Sequence, residues 1–162
     1  MASVISLKKL KISDIKYFFH WWRDKDLLKL TSGRLKRISD QEVKKSFEKM
    51  INNKKDSHYL ITLNNKAIGH IALISKSSGW FETQIMIGDK KYWNKGYGTR
   101  AIKQLFRKAK KNRINKIYLE VRPNNLRAIR TYEKCGFQRA KIKKYPKNKY
   151  LPETLKMVLN KQ

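Results

Sequence analysis

Residues 91–100 constrain the fold of this chain most strongly, because they join an apolar segment to a helical pattern. The apolar segment at 85–87 has the composition of a buried strand, and apolar side chains recur at helical spacing from 102 to 109. Gly96 and Gly98 lie between the two, where the backbone turns sharply with no Cβ in the way. The sequence therefore predicts a strand, a tight turn and the start of a helix.

This turn is also suited to binding an anion. Several N–H groups at the start of a helix point the same way, and the helix dipole adds partial positive charge there. A phosphate or pyrophosphate fits such a cradle, although a Gly-x-Gly pair between a strand and a helix is more often an ordinary turn. The chain has neither a Gly-x-x-x-x-Gly-Lys-Ser/Thr loop nor a third glycine at the Rossmann spacing. Those two nucleotide-binding folds are therefore disfavoured.

A second stretch, one strand later, decides the interpretation. Residues 117–121 are predicted to form a buried strand, and residues 125–137 a short helix that ends at a glycine. The chain carries the two motifs as Trp93-x-x-Gly96-x-Gly98 and Asn125-x-x-Ala128-x-x-x-Tyr132-Glu133-Lys134-x-Gly136-Phe137. In this order they resemble the GNAT superfamily of acyl-CoA-dependent N-acyltransferases. The resemblance covers roughly residues 81–140. Within the superfamily, this part of the sequence resembles the branch of ribosomal-protein, aminoglycoside and amino-sugar N-acetyltransferases.

The resemblance implies an α/β fold with a mixed, largely antiparallel sheet of six or seven strands. Helices would cover both faces, and splayed central strands would admit the arm of coenzyme A. It also implies acetyl-CoA as cofactor and direct transfer to an amine within a ternary complex. Trp93 departs from the family pattern, which usually has Gln or Arg there, and Asn94 stands where glycine is common. The change removes a side-chain contact but leaves the backbone amides that would bind the cofactor.

The resemblance places the cofactor along the turn and its neighbours. Backbone groups around Met86 and Ile87 are expected to bind the pantetheine arm, and an amide there would polarise the thioester carbonyl. The pyrophosphate is expected on the turn, at Trp93, Asn94, Lys95, Gly96, Tyr97, Gly98 and Thr99. The remaining predicted cofactor residues are Arg100, Asn125, Arg127 and Tyr132. In so basic a chain the cationic members of this set are also ordinary candidates for solvated surface residues.

Two catalytic candidates lie in the second motif. Tyr132 matches the family tyrosine near the CoA sulfur, which makes it the expected general acid; the alternative is a core tyrosine on an amphipathic helix. Asn125 matches the family asparagine that hydrogen-bonds near the pantetheine arm or the acceptor. An N-cap of the helix is an equally good interpretation of Asn125, and the two roles are compatible.

The general base is expected on the strand before the turn. Glu82 is the candidate, because several relatives carry a glutamate there that acts through water; pairing with a cationic acceptor and simple exposure are its alternatives. Glu120 is the runner-up, since a charged residue in the apolar run 117–121 must leave the core or enter the cleft. The three histidines lie outside the motifs and receive no role. No Ser/His/Asp or Cys/His set is evident, which agrees with direct transfer.

Composition favours one globular domain spanning residues 1–162, since 40% of the chain is hydrophobic and it contains only three prolines. No apolar run is long enough to span a bilayer and no signal peptide is recognisable, so we expect a cytoplasmic protein. The single cysteine, Cys135, has no partner for an internal disulfide and no metal-ligand companion at a useful spacing. We expect no metal site, and either a monomer or a homodimer.

The net charge of +28, from 40 Lys and Arg against 12 Asp and Glu, predicts attraction for polyanions such as CoA. Incidental nucleic-acid affinity is expected, and a non-catalytic polyanion- or RNA-binding module on a GNAT scaffold is the alternative function. The excess is lysine scattered along the whole chain, a pattern that compositional bias also produces. With so few carboxylates, a polycationic aminoglycoside is a disfavoured acceptor. An amino group on a nucleotide sugar, or the N-terminus of a ribosomal protein docked near RNA, suits a positive surface better. The expected function is therefore acetyl transfer to a primary amine of a small molecule, such as an amino sugar, a nucleotide sugar or an antibiotic, or to a protein N-terminus.

Hydrophobic periodicity and turn residues outside the two motifs predict the other strands and helices. Strands are predicted at 4–10, 59–63, 67–74, 80–87, 138–143 and 153–159, with a hairpin turn at Asn64 and Asn65. A first helix is expected from an N-cap at Ser13 to about Arg23, and a second from a capping box at Ser39. Residues 24–38 are expected to form a mobile connection. The connection 144–152 lies where the family often closes over the acceptor.

Overall fold

An open sheet of seven strands runs through the structure, a computed structural model that describes residues 2–160. The strands are β1 (Ile5–Lys9), β2 (Ser57–Leu63), β3 (Lys66–Ser75), β4 (Phe81–Ile87), β5 (Ile117–Val121), β6 (Phe137–Lys144) and β7 (Glu153–Leu159). Their order across the sheet is β1-β2-β3-β4-β5-β7-β6. Only the β4–β5 pair is parallel. The predicted mixed, largely antiparallel sheet is confirmed.

Helices cover both faces of this sheet. They are α1 (Ile15–Trp21), α2 (Lys25–Leu30), α3 (Asp40–Asn52), α4 (Tyr97–Lys111) and α5 (Leu126–Lys134). The two long motif helices, α4 and α5, pack on one face, where Ile102 and Leu105 of α4 are fully buried with Ile71 of β3. The opposite face is covered by α1 and α3, through Phe18 and Phe47. Each helix therefore buries one apolar stripe against the sheet.

The central strands β4 and β5 separate almost as soon as they meet. Their pairing is limited to Phe81 with Ile117 and Glu82 with Tyr118. Beyond that point β4 remains paired with β3, and β5 remains paired with β7. The predicted splay of the central strands is confirmed, and it opens the sheet toward the turn that precedes α4.

The hairpin between β2 and β3 follows the prediction from its Asn-Asn pair. Asn64 and Asn65 have φ values of 48° and 67°. Positive φ at both central residues is the requirement of a type I′ turn, and asparagine tolerates it better than most residues. The side chain of Asn64 also accepts a hydrogen bond from Val4 N–H at 2.9 Å. The turn thus fixes the β2–β3 register and holds the segment that leads into β1.

Two local predictions in the N-terminal region are wrong. Residues 24–38 are not only a connection, because they contain α2, whose N-cap Asp24 accepts hydrogen bonds from Asp26 and Leu27 N–H. With six residues, fewer than two turns, α2 gives too little periodicity for the sequence to reveal it. The other error is the cap at Ser13, which lies inside a 3-10 turn that precedes α1. Asp14 is the N-cap residue of α1 and accepts a bond from Lys11 N–H at 2.8 Å.

Candidate functional site

A cleft of about 810 Å³ opens where β4 and β5 separate. Its walls come from those two strands, the turn before α4, the start of α5, the end of α2 and the β6–β7 connection. Of the site residues predicted from the sequence, Arg100 alone does not line this cleft. Those that do are Glu82, Met86, Ile87, Trp93, Asn94, Lys95, Gly96, Tyr97, Gly98, Thr99, Asn125, Arg127 and Tyr132. The fold therefore brings two motifs and the strand before them to one opening.

The backbone of β4 offers hydrogen-bonding groups to the cleft. Phe81 N–H donates to Lys116 O at 2.8 Å, on the β5 side of the strand. Gly88 N–H donates to Ile68 O at 2.7 Å, on the β3 side. Because hydrogen bonding alternates along an antiparallel pair, odd-numbered residues of β4 direct their backbone groups toward β5 and even-numbered ones toward β3.

This alternation corrects one cofactor prediction. Met86 was expected to offer backbone groups to the pantetheine arm, but it lies on the β3-facing set, opposite His70. The groups that face the opening belong to Thr83, Ile85 and Ile87 instead. The sequence alone gave no register for β4, so the strand could be located without knowing which of its residues face β5.

The turn before α4 leaves the first N–H groups of the helix without a hydrogen-bond acceptor among residues 2–160. Gly96 is the N-cap residue, in the left-handed region at φ 79°, and it provides no side-chain cap. The first backbone bond of the helix runs from Arg100 N–H to Gly96 O at 3.1 Å. N–H groups ahead of that bond have no intrahelical acceptor, and they belong to Tyr97, Gly98 and Thr99. This arrangement has the free N–H groups that the predicted anion cradle needs, and anion binding there stays a prediction.

Trp93 uses its side chain in place of the family's Gln or Arg. Its Nε1–H donates to Ile87 O at 2.9 Å, which ties the turn to the end of β4. The guanidinium of Arg127 lies 3.9 Å from the centre of the Trp93 ring, a cation–π contact with α5. The departure at position 93 therefore links three elements of the cleft and places the charge of Arg127 beside the turn.

Arg100 does not point into the cleft. Its guanidinium donates to the hydroxyl of Ser3, at 3.1 Å, and to the carbonyl oxygen of the same residue. The side chain thus holds the N-terminal segment against α4, and it is not part of the cleft lining. Lys95, by contrast, is exposed and lines the cleft.

Tyr132 lies on α5 with its ring edge-on to Phe137, at a centroid distance of 6.0 Å. Burial raises the pKa of Tyr132 to about 12, against a smaller lowering effect of the nearby Arg127 charge. Its hydroxyl makes no hydrogen bond to any residue within 2–160, and the side chain lines the cleft. A phenol with so high a pKa remains protonated at neutral pH and can donate a proton to a leaving group.

Asn125 is buried and caps α5. Its Oδ1 accepts a hydrogen bond from Ala128 N–H at 3.3 Å, and its Nδ2 donates to Leu30 O at 3.4 Å. One amide therefore satisfies the start of α5 and also holds the last residue of α2. The N-cap interpretation of Asn125 is what the structure displays; its proposed contact with the cofactor or acceptor remains a prediction.

The two candidate bases lie on one face of the sheet and are each paired. Glu82 accepts from the ammonium of Lys76 at 3.1 Å. Glu120 accepts two hydrogen bonds from the hydroxyl of Tyr145, at 2.7 and 2.9 Å, and is 3.1 Å from the ammonium of Lys143. Both carboxylates line the cleft with little exposure, 14% for Glu82 and 17% for Glu120.

A comparison with known families identifies this architecture. The profile of the acetyltransferase (GNAT) domain matches residues 5–138 of the chain. The chain belongs to the GNAT acetyltransferase family. The resemblance drawn from the two motifs is confirmed, and with it the assignment of the protein as an acetyltransferase.

Individual GNAT relatives are more distant. Aminoglycoside N(6')-acetyltransferases type 1 from Klebsiella pneumoniae and Serratia marcescens are each 23% identical over 149 residues, 83% of this chain and 74% of theirs. The aminoglycoside acetyltransferase AAC(6')-Ib with ribostamycin and coenzyme A has a TM-score of 0.82 at 21% identity, covering 96% of this chain and 92% of that one. Spermidine N-acetyltransferase from Vibrio cholerae with CoA and spermine gives 0.79 at 20% identity, covering 96% and 94%. At these identities the structural likeness shows a shared fold.

Two kinds of feature are absent from the described residues. Between residues 2 and 160 no helix is both long and apolar enough to cross a membrane. The same range holds no cluster of three or more His, Cys, Asp or Glu side chains arranged for a metal ion.

The cap at Asn125 gives a stability prediction. Asn125→Ala should lower the free energy of unfolding by about 1 kcal/mol, because the first turn of α5 loses its side-chain acceptor. Asn125→Ser restores an oxygen acceptor and should cost less than about 0.5 kcal/mol. The exposed neighbour serves as control: Asn124→Ala should change stability by less than about 0.5 kcal/mol. Urea unfolding measures all three, and equal losses for the Ala and Ser variants at 125 would contradict the cap role.

Sequence reasoning missed several residues of this site, among them Ile85, Tyr145 and Arg122. Ile85 supplies an open-side backbone position, which only the β3–β4 register reveals. Tyr145 reaches Glu120 from a connection with no regular pattern. Arg122 binds the carbonyl oxygens of Thr31 and Tyr150, so it joins segments that are remote in the chain. Motif spacing gives no signal for contacts between residues that lie this far apart along the chain.

Proposed function

We propose that this protein transfers the acetyl group of acetyl-CoA directly to a primary amine of a small molecule. The observation that carries the proposal is the separation of β4 from β5, which turns unpaired backbone groups toward a cleft that ends at the open start of α4. The similar aminoglycoside and spermidine acetyltransferases were solved with coenzyme A. That supports acetyl-CoA as the acyl donor in this cleft.

The cofactor would lie along the cleft with its pyrophosphate at the turn. Free N–H groups of the first turn of α4 and the positive end of its dipole stabilise phosphate oxygens there. Lys95 and Arg127 add positive charge on either side. The pantetheine arm would lie beside β4 like an additional strand and hydrogen-bond to the backbone of Ile85 and to the N–H of Ile87, whose carbonyl oxygen already accepts from Trp93. The thioester would then lie beside Tyr132.

Transfer in this arrangement needs no protein nucleophile. The amine nitrogen attacks the thioester carbonyl carbon, a backbone N–H of β4 stabilises the developing oxyanion, and the C–S bond breaks. Tyr132 donates its phenolic proton to the departing thiolate sulfur, and the phenol is restored from solvent. Holding the amine against the thioester lowers the activation free energy by on the order of 7 kcal/mol. This is the largest single contribution to the rate that we assign.

Glu82 is proposed as the general base. It lies on β4 at the last residue that pairs with β5, so its carboxylate is at the narrow end of the opening. Through a water molecule it would accept the proton that the attacking amine releases. The ion pair with Lys76 holds the carboxylate in place.

The acceptor is proposed to be a small molecule because two separate segments line the acceptor side of the cleft. The end of α2 and the β6–β7 connection both contribute lining residues there, among them Leu30, Thr31, Tyr145 and Asn148. The similar proteins were solved with ribostamycin and with spermine, both small amines. A protein N-terminus would have to enter under the same two segments.

A different class of function is favoured by one observation, the net charge of +28. A non-catalytic module that binds polyanions on a GNAT scaffold would use that charge without any of the cleft chemistry. Its binding would follow the number of phosphates neutralised and would weaken steeply with salt. The acetyltransferase cleft would instead recognise the pantetheine arm as well as the phosphates.

Calorimetric binding of acetyl-CoA and of ATP at two salt concentrations separates these proposals. We expect acetyl-CoA to bind at least about tenfold more tightly than ATP, since only acetyl-CoA has an arm to pair with β4. We also expect most of that preference to persist at the higher salt concentration. Weak, salt-sensitive binding of both ligands alike would contradict the proposed function and favour the polyanion-binding module.

A further inference from the structure

The charges around the acceptor side of the cleft are unlike those of a site for polycations. Within the described residues the cleft lining has two carboxylates, Glu82 and Glu120, and each already has a lysine ammonium at 3.1 Å. These lysines occupy the positions that the ammonium groups of a polyamine would need. An entering polycation would have to displace Lys76 or Lys143 from its carboxylate.

The two lysines are held firmly in their charged form. The hydrogen bond to Glu82 raises the pKa of Lys76. Hydrogen bonds to Tyr145 and Glu120 raise the pKa of Lys143. Both ammonium groups therefore stay protonated through neutral and mildly alkaline pH, and each remains in place beside its carboxylate.

Arg122 adds a positive charge that pairs with no carboxylate of residues 2–160. It lines the cleft, and its Nε–H donates to Thr31 O at 3.0 Å while Nη2 donates to Tyr150 O. Carbonyl oxygens orient the guanidinium without neutralising it. Nη1 makes no hydrogen bond to any residue of the part of the chain that the structure describes. A guanidinium with free N–H groups is suited to bind a carboxylate or phosphate.

Gly33 shows that this guanidinium is built into the site. Its backbone lies so close to Arg122 that a Cβ at position 33 would collide with the guanidinium and with Tyr150 O. The left-handed φ of 71° at Gly33 is a second reason for glycine there. The end of α2 and the β6–β7 connection therefore both close on Arg122, and both also line the acceptor side.

We propose that the acceptor carries one reacting primary amine and an anionic group, a carboxylate or a phosphate, which Arg122 binds, and that polycationic amines are poor substrates. This inference rests on the proposed acetyltransferase function and names the substrate class of the same cleft. It separates this protein from the similar enzymes solved with ribostamycin and spermine. Arg122 acts here as a specificity residue; it takes no part in the bond changes.

The test compares acceptors of matched length. The kcat/KM for acetylation of 4-aminobutyrate is measured beside that of 1,4-diaminobutane and of butylamine, with acetyl-CoA saturating. We expect the amino acid to exceed the diamine by about tenfold or more, because a hydrogen-bonded ion pair with Arg122 replaces repulsion. Comparing 4-aminobutyrate with 3-aminopropyl phosphate then identifies which anion the site prefers. A diamine preferred over the amino acid, or the two within threefold of each other, overturns the proposal.

Variants separate the charge of Arg122 from its role in holding the two segments. Arg122→Gln should reduce the ratio of kcat/KM for 4-aminobutyrate to kcat/KM for 1,4-diaminobutane to near one. Arg122→Lys keeps the positive charge and should retain most of that preference. Lys143→Met leaves Glu120 without its lysine, so diamine turnover should rise several-fold. A preference unchanged in Arg122→Gln and a diamine rate unchanged in Lys143→Met would each contradict the inference.

Failure of this inference is distinguishable from failure of the proposed function. If acetyl-CoA binds and diamines alone are acetylated, the acetyltransferase stands and the assigned acceptor class is wrong. If acetyl-CoA binds and no amine with an anionic group is acetylated, the acceptor class is likewise wrong. If acetyl-CoA does not bind in preference to ATP, the proposed function itself fails.

Discussion

The Gly96→Val variant is expected to bind acetyl-CoA about a hundredfold more weakly than the natural protein. Gly96 is the N-cap residue of α4 at φ 79°, a conformation that a β-branched side chain disfavours strongly. Relief of that strain would rotate the N–H groups of the first turn away from the pyrophosphate. Loss of about two hydrogen bonds to a charged group amounts to roughly 3 kcal/mol, which corresponds to the stated factor.

A second glycine gives a control with the same backbone geometry. Gly79 has φ 75°, and a Cβ there, as at Gly96, would meet no atom within 4 Å. Gly79 lies in the turn between β3 and β4 and is not among the cleft lining. Gly79→Val should therefore lose comparable stability while binding acetyl-CoA within about threefold of the natural protein. Calorimetry on both variants checks this, and equal affinities for the two would place the phosphate site elsewhere.

Tyr132→Phe is expected to lower kcat by about a hundredfold, because the leaving thiolate loses its proton donor. Acetyl-CoA binding should change by less than about threefold, since the ring and its packing against Phe137 are retained. Tyr59→Phe serves as control: Tyr59 is a half-buried tyrosine on β2 that lies outside the cleft lining. Steady-state rates for both variants decide the matter, and full activity in Tyr132→Phe would exclude its role as general acid.

The pH profile gives an independent check on Tyr132. Its pKa is raised to about 12, so the phenol stays protonated, and therefore competent as an acid, well above neutral pH. The rate of the natural protein should rise with pH as the substrate amine becomes neutral, and it should not fall again below about pH 10. A falling limb near pH 8 or 9 that disappears in Tyr132→Phe would mean that the phenol ionises far below the value its burial produces.

Much of this site was predictable because local rules fix it. Glycines at 96 and 98 after an apolar strand specify a turn and a helix start, and the second motif specifies a capped helix that ends at Gly136. Both motifs are contiguous in sequence, so spacing alone identifies them. Their convergence on one cleft then follows from the fold that the resemblance implies.

The remainder depends on contacts between segments that are distant in sequence. Which residues of β4 face the opening is set by its register with β3, and the sequence leaves that register open. Glu120 meets Tyr145 across 25 residues, and Arg122 meets Thr31 across 91. The same limit explains Arg100, whose position beside the motif suggested a phosphate contact although it binds Ser3 at the N-terminal end.

The measurement that tests the central claim most directly is acetyl transfer itself, followed as CoA thiol release together with the mass of the amine product. Thiol release and acetylated amine should appear in equal amounts, and initial rates at varied concentrations of both substrates should give intersecting lines, as direct transfer in a ternary complex requires. Parallel lines together with an acetylated form of the protein would contradict direct transfer. Bound acetyl-CoA with no acetylated product from any amine would contradict the enzyme.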